Sequence, residues 1–229
     1  MLGGNPIGTV AYMGGVPAVL ESFCWSWGQM IQYNAEFLCE SAEYVHYDKA
    51  RLSLHACARH QIADAMLGDW VVMLDCDHSF DPDVVHRLVR TADQIGAEVL
   101  SGLYQFKHHP HSPVAYVWHE GGDLPAPIGG WSDDADVLQV QSVGAGCLFV
   151  RRSVFMRIDR EIAEGPFDRI KPLGEDHSFC KRCKDLGIDV WLAPKIHSAH
   201  LRVAPVKIAD FDRDAVECGE SSPVKGFER

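Results

Sequence analysis

The chain has 229 residues, enough for one sizeable domain or two small ones, and its 47% apolar and 23% charged content suits a globular protein rather than a disordered one. A net charge of -11 argues against a broad basic surface for nucleic acid. There is no run of about 18 uncharged apolar residues suited to a membrane-spanning helix, and the apolar N-terminus lacks a basic region and is broken by Pro6, Pro17 and Glu21, so neither a membrane span nor a signal peptide is expected.

In chain order, residues 7–12 read as a strand, followed by the loop Met13-Gly14-Gly15-Val16-Pro17 and a helix over about 19–34. A second helix is expected over 53–67, with Gly68 as its stop. Residues 70–74, Trp-Val-Val-Met-Leu, form an unalternating apolar run, the pattern of a strand covered on both faces. Asp81-Pro82-Asp83 reads as a helix start, with Asp81 as cap and Pro82 in the first position; Val84, Leu88, Ala92 and Ile95 then give helical spacing up to Gly96. A strand follows at 99–103. Residues 105–136 are rich in Pro, Gly, His and Asp and read as a long irregular segment with one strand at 114–118. Residues 137–143 alternate as a strand, Gly144-Ala145-Gly146 breaks it, and 147–150 resumes it. A short helix at 176–186 closes on Gly187, and Ile188, Val190 and Leu192 alternate as a last strand. From about residue 205 the chain is polar and extended, so the expected division is a domain over 1–204 and a tail over 205–229. Strands alternating with helices predict an α/β fold with a mainly parallel sheet flanked by helices. The eight cysteines fall mostly on predicted helices and strands and read as reduced core residues of a cytoplasmic protein.

The chemistry concentrates at strand ends. Asp75 and Asp77 follow the apolar strand, where open α/β sheets bind ligands. On an extended chain, residues two apart point the same way, so both carboxylates can aim at one Mn2+ or Mg2+ ion bridged to substrate phosphates. The same tripeptide also serves loops and helix caps. Glu175 and Asp176 open a helix, where acids suit the macrodipole, and a carboxylate placed there can also act as a general base. His197 and His200 follow the last predicted strand; either is a structural histidine or a third metal ligand. Gly144 and Gly146 let backbone approach a ligand closely, or make a bulge. Arg59 suits a diphosphate or a structural ion pair. Cys180-x-x-Cys183 reads as packing on a helix, and His108-His109-Pro110-His111 as a solvated loop.

Four segments taken in order resemble the GT-A glycosyltransferases, above all the compact family-2-like group found in bacteria and phages. They are Ala58-Arg59-His60-Gln61-Ile62, Trp70 to Asp77 with Phe80-Asp81-Pro82-Asp83, Val143 to Phe155 with its glycines and double arginine, and Gly174 to Cys180 with the stretch from Gly187 to His200. The resemblance implies that Asp75, Asp77 and His200 hold Mn2+ or Mg2+ on a donor diphosphate. It implies Asp176 as base, Glu175 beside it positioning the acceptor, and a nucleotide base near Tyr12 and Gly14. Arg59, Gly144 and Gly146 would border the donor. His60 departs from the Asn of the family pattern, and the Gln-x-x-Arg-Trp signature of processive members is absent, which implies transfer of a single sugar. The expected activity is a metal-dependent, inverting hexosyl transfer from a nucleoside-diphosphate sugar, with UDP-sugar favoured, to a hydroxyl of a glycan, a protein or a hydroxymethylated DNA base; the net charge disfavours DNA. A glycosidase would need two carboxyls flanking the bond and no diphosphate metal. The competing readings are a nucleotidyltransferase, whose Gly-rich, Lys-containing N-terminal loop is missing, and a sugar-nucleotide or glycan-binding module without turnover.

Overall fold

The computed structural model describes residues 5–13, 21–39, 43–50, 55–108, 110–119 and 124–201. Strand β1 (Asn5–Met13), helix α1 (Glu21–Phe37), strand β2 (Glu43–Ala50) and helix α2 (His55–Ala65) lead to β3 (Trp70–Leu74), the short β4 (His78–Phe80), α3 (Val84–Ile95) and β5 (Val99–Leu103). Then come β6 (Ala115–Trp118), β7 (Pro125–Pro127), β8 (Leu138–Val140), β9 (Ser142–Val143), β10 (Cys147–Arg151), α4 (Arg152–Glu161), α5 (Glu175–Asp185) and β11 (Val190–His200). The expectations for Gly14, His109, Cys218, the tail from 205 and the starts of the first two helices lie outside the described residues.

The main sheet runs β2-β1-β3-β10-β5-β11-β4, with β8 also paired to β11. β1 is parallel to β2 and β3, and β5 is parallel to β11. β10 is antiparallel between β3 and β5, and β4 and β8 are antiparallel to β11. Five of the eight strands, β1, β2, β3, β5 and β11, therefore run one way, and the sheet is mixed but mostly parallel. A second sheet, β7-β6-β9, stands beside it.

The apolar run of β3 is explained by two cores. Val71 and Met73 pack with Ile62, Val154, Ile158 and Phe179 on one side; Trp70, Val72 and Leu74 pack with Phe23, Met30 and Leu88 on the other. Burying a side chain of this kind contributes about 1.5–3 kcal/mol, so a strand covered twice has no position left for a polar residue until it emerges at Asp75.

Several elements differ from the sequence reading. Helix α3 starts at Val84, not at Pro82: Val84 N–H donates to the Asp81 carbonyl at 3.1 Å, so Asp-Pro-Asp makes a turn before the helix and Asp83 gives no side-chain cap. The expected strand at 137–143 divides into β8 and β9, which join different sheets. β11 runs on through Pro194 to His200, with its register against β5 shifting between Ala193 and His197, so both histidines lie on the strand and not after it. Strand β2 and helix α4 were not expected. Arg152, in the double arginine, opens α4 and ties it to the end of α2 by donating to the carbonyls of Gly68 and Met66 at 2.6 and 2.8 Å. Of the cysteines, Cys147, Cys180 and Cys183 are buried and unpaired, whereas Cys24 and Cys57 are exposed. No helix among the described residues is long and apolar enough to cross a membrane.

Candidate active site

The C-terminal ends of β1, β3, β5 and β11 share one edge of the sheet, and the antiparallel β10 begins at that edge. Tyr12, Asp75–His78, Tyr104–Lys107, His200 and Gly144–Gly146 are brought together for this reason.

After β3 the chain turns sharply. His78 N–H donates to the Asp75 carbonyl at 3.1 Å, and Asp75 N–H donates to the Gly146 carbonyl at 2.9 Å. β4 then pairs with β11, placing His78 opposite His200, and Leu201 N–H donates to the Asp77 carbonyl at 2.7 Å. The turn replaces the extended backbone on which the same-side projection of Asp75 and Asp77 was argued, and their carboxylates engage different partners. Asp77 Oδ2 lies 2.6 Å from Lys107 Nζ and 3.3 Å from His200 Nε2. Asp75 Oδ1 lies 3.2 Å from Arg59 Nη2.

His78 was not anticipated, because a residue next to Asp77 should point away from it on an extended strand. The turn brings it inward. Ligand atoms of Asp77, His78 and His200 lie within 4.8 Å of one another. His78 is fully buried; its Nδ1 shares a 2.9 Å hydrogen bond with Ser198 Oγ, while its Nε2 has no hydrogen-bond partner among the described residues. Burial pushes the imidazole down to about 4, so at neutral pH it is uncharged. At Asp77 burial works against the charge, but the hydrogen bond from Lys107 and the nearby His200 and His78 take the carboxyl below its ordinary value. A side-chain carbon at Gly146 would stand 2.7 Å from His78 Cε1 and 3.0 Å from Asp75 Oδ2, so only glycine leaves room for both groups. Of the two histidines on β11, His200 reaches Asp77, whereas His197 shares a 2.6 Å hydrogen bond with the Pro194 carbonyl.

Arg59 links this cluster to α5. It is buried, and its Nη1 donates to the Ala145 carbonyl at 3.0 Å while its Nε lies 3.1 Å from Asp176 Oδ1. Burial opposes the charged guanidinium, but Asp176 and Asp75 outweigh it and hold Arg59 above its usual value. The ion-pair alternative for Arg59 describes this arrangement. Asp176 Oδ2 accepts from Ala145 N–H at 3.1 Å. Burial raises the Asp176 carboxyl, Arg59 pulls it down, and the charges of Glu175 and Asp75 add to the rise. Its neighbour behaves oppositely: Glu175 lies 3.5 Å from His55 Nδ1, and hydrogen bonding with His55 holds it down at about 2.

Two hollows flank the cluster. One, of about 310 Å³, is lined by Tyr12, Trp27, Tyr47, Asp48 and Lys49 at the end of β1 and β2. The other, of about 510 Å³, lies along residues 103–107 and 197–200 with His111. Gly144 is held to glycine by the core packed against it. A side-chain carbon there would fall 2.0 Å from Tyr104 Oη, the atom that accepts from Gly146 N–H at 3.1 Å, so its closeness is to a core tyrosine.

Residues 36–158, more than half of the 229, match the model of glycosyl transferase family 2. The chain belongs to this family. The matched part of the family 2 chain contains Arg59, the acidic turn and the glycines but ends before α5 and β11. Among solved structures it is similar to A197 from STIV, with TM-score 0.52 and 16% identity over 85% of this chain and 86% of that one. It is also similar to GalNAc-T7, crystallised with UDP, GalNAc and Mn2+, with TM-score 0.61 and 11% identity over 86% of this chain and 43% of that one. No curated protein matches the sequence. The fold is GT-A, and this family 2 protein is a glycosyltransferase.

Proposed function

We propose that the enzyme transfers one hexosyl unit from a nucleoside-diphosphate sugar, UDP-sugar in the first instance, to an acceptor hydroxyl, with inversion and with a divalent ion. The observation that carries this is the pairing of two sites on one scaffold: the Asp77–His78–His200 cluster and the Asp176 carboxylate are joined through Asp75, Arg59 and the backbone of Ala145 and Gly146.

Asp77, His78 and His200 are the ligands, with Asp75 facing the same space. His78 Nε2 is a buried, neutral nitrogen without a partner among the described residues, and when Nδ1 donates to Ser198 it keeps a lone pair for an ion. One carboxylate with two imidazoles suits Mn2+ better than Mg2+, which prefers oxygen ligands. When bound, the ion supplies a Lewis acid that offsets charge on the leaving diphosphate.

Asp176 takes the proton of the acceptor hydroxyl. Its raised carboxyl makes it the more basic of the adjacent pair, while Glu175, held low, stays ionised and positions the acceptor. Arg59 fixes the base relative to the acidic turn. Acceptor binding falls to the second sheet, whose Tyr116 packs edge-on against His177 of α5 at 4.7 Å, one residue from Asp176. The nucleotide base falls to the Tyr12 hollow. A glycosyltransferase acting this way releases UDP from a UDP-sugar when acceptor or water is supplied, and EDTA stops the release. Binding of UDP-sugars with no release from any of them, with or without Mn2+, favours the binding-module reading instead.

A further inference from the structure

We infer that Lys107 is an internal counter-ion at the metal site that is displaced by the divalent ion and passes its ammonium to the donor diphosphate. The inference rests on the metal reading of Asp77 above. Its basis is the position of Nζ, 2.6 Å from Asp77 Oδ2, on the oxygen that also faces His200 Nε2 at 3.3 Å. Oδ2 is the Asp77 oxygen that faces His200, so an ion held between Asp77 and His200 would compete with the ammonium for it. An ammonium in contact with it would repel the ion, and partial burial makes the repulsion stronger than in water.

Lys107 has the means to leave. It sits in the segment after β5, in a bend between the Gln105–Pro113 bridge residues, and outside any helix or strand. Its side chain is a flexible four-carbon stem, 30% exposed. It also has a place to go. The hollow of about 510 Å³ that it lines carries His111, His197 and His200, and no carboxylate is among its described lining residues. Its described lining thus offers an anion the Lys107 ammonium and three imidazoles, with no carboxylate to oppose it. The ion and the ammonium then share the diphosphate charge, and without a donor the ammonium keeps Asp77 neutralised.

The test is calorimetry on the full chain with MnCl2 alone and with inorganic pyrophosphate in the presence of Mn2+, for wild type, Lys107→Met and Lys107→Arg. Lys107→Met should bind Mn2+ several-fold more tightly than wild type and pyrophosphate several-fold more weakly; Lys107→Arg should stay near wild type in both. Equal Mn2+ affinity in Lys107→Met and wild type overturns the exchange and leaves the metal reading standing. Tighter Mn2+ with unchanged pyrophosphate overturns the hand-over. Failure of every protein to bind Mn2+ overturns the metal reading and the exchange with it.

Discussion

Arg59 Nε and Asp176 Oδ1 stand 3.1 Å apart, and the same guanidinium reaches Asp75 at 3.2 Å. One buried cation thus fixes the distance between the acidic turn after β3 and the start of α5. Arg59→Met removes the positive charge that stands between the two carboxylates and should destabilise the fold by about 3 kcal/mol, the cost of breaking a buried ion pair from one side. Urea midpoints measure it. Arg59→Lys should fall between, because it keeps the charge but loses the fork. An unchanged midpoint for Arg59→Met would show that water already solvates both acids.

Asp176→Asn should lower turnover by about 10²–10⁴-fold while Mn2+ and UDP still bind. In the proposed role Asp176 must be ionised to accept a proton, so activity should be lost as pH falls through its value, which lies above that of an ordinary aspartate. The charge of Glu175 contributes to that elevation. Glu175→Gln should therefore move the acid limb of the rate profile to lower pH. A limb that moves upward or stays fixed would separate Glu175 from the base. If Asp176→Asn keeps near-normal turnover while Glu175→Gln abolishes it, the two roles are exchanged.

Asp77→Asn and His78→Ala should each weaken Mn2+ binding, and the wild type should prefer Mn2+ to Mg2+. Ser198 acts through His78 by holding Nδ1, so Ser198→Ala should cost about 10-fold or more in Mn2+ affinity, the usual effect of removing such a support. Titration by calorimetry or by the electron paramagnetic resonance of free Mn2+ reads all three. Indifference of the ion to His78→Ala would restore the ligand set of Asp75, Asp77 and His200 implied by the family resemblance.

Gly144→Ala should destabilise by about 1–3 kcal/mol, since the new carbon meets Tyr104 Oη at 2.0 Å and Val114 Cγ1 at 2.6 Å. Tyr104→Phe in the same chain should recover part of that loss by removing the first clash. Thermal melts of the four proteins in the cycle decide it, and a strictly additive result would contradict the contact.

The sequence was most legible where burial leaves one choice of residue. β3 was found to the residue because both of its faces are covered. The stops of α3 and α5 were found because Gly96 and Gly187 adopt the left-handed backbone that glycine favours, at φ 68° and 67°. β2 escaped because it is an edge strand with mixed exposure, so neither alternation nor a solid apolar run marks it. In α4 the buried Val154, Phe155 and Ile158 did give helical spacing, but the double arginine before them read as a turn. The alternation of Ile188, Val190 and Leu192 marks only the first part of β11; the strand carries Pro194 where the register slips and runs on to His200. At the site, Asp75, Asp77, Asp176 and Arg59 were named from the sequence, and the structure brings them together. His78 and Lys107 were not, because their places depend on a turn and a loop whose paths no periodicity encodes.

The ladder that sets His78 opposite His200 has a consequence for the order in which the molecule matures. Two walls of the Asp77–His78–His200 cluster lie on strands made far apart in synthesis, and pairing of such distant segments must close a long loop, which is intrinsically slow. A nascent or partly folded chain can possess the acidic turn, the arginine and the tyrosine hollow and still lack the far wall. It gains that wall only when β11 docks between β5 and β4. On the proposed metal role, the ion could then be captured only once β11 has joined the sheet, and an unfinished molecule would have little means of committing a sugar nucleotide to reaction.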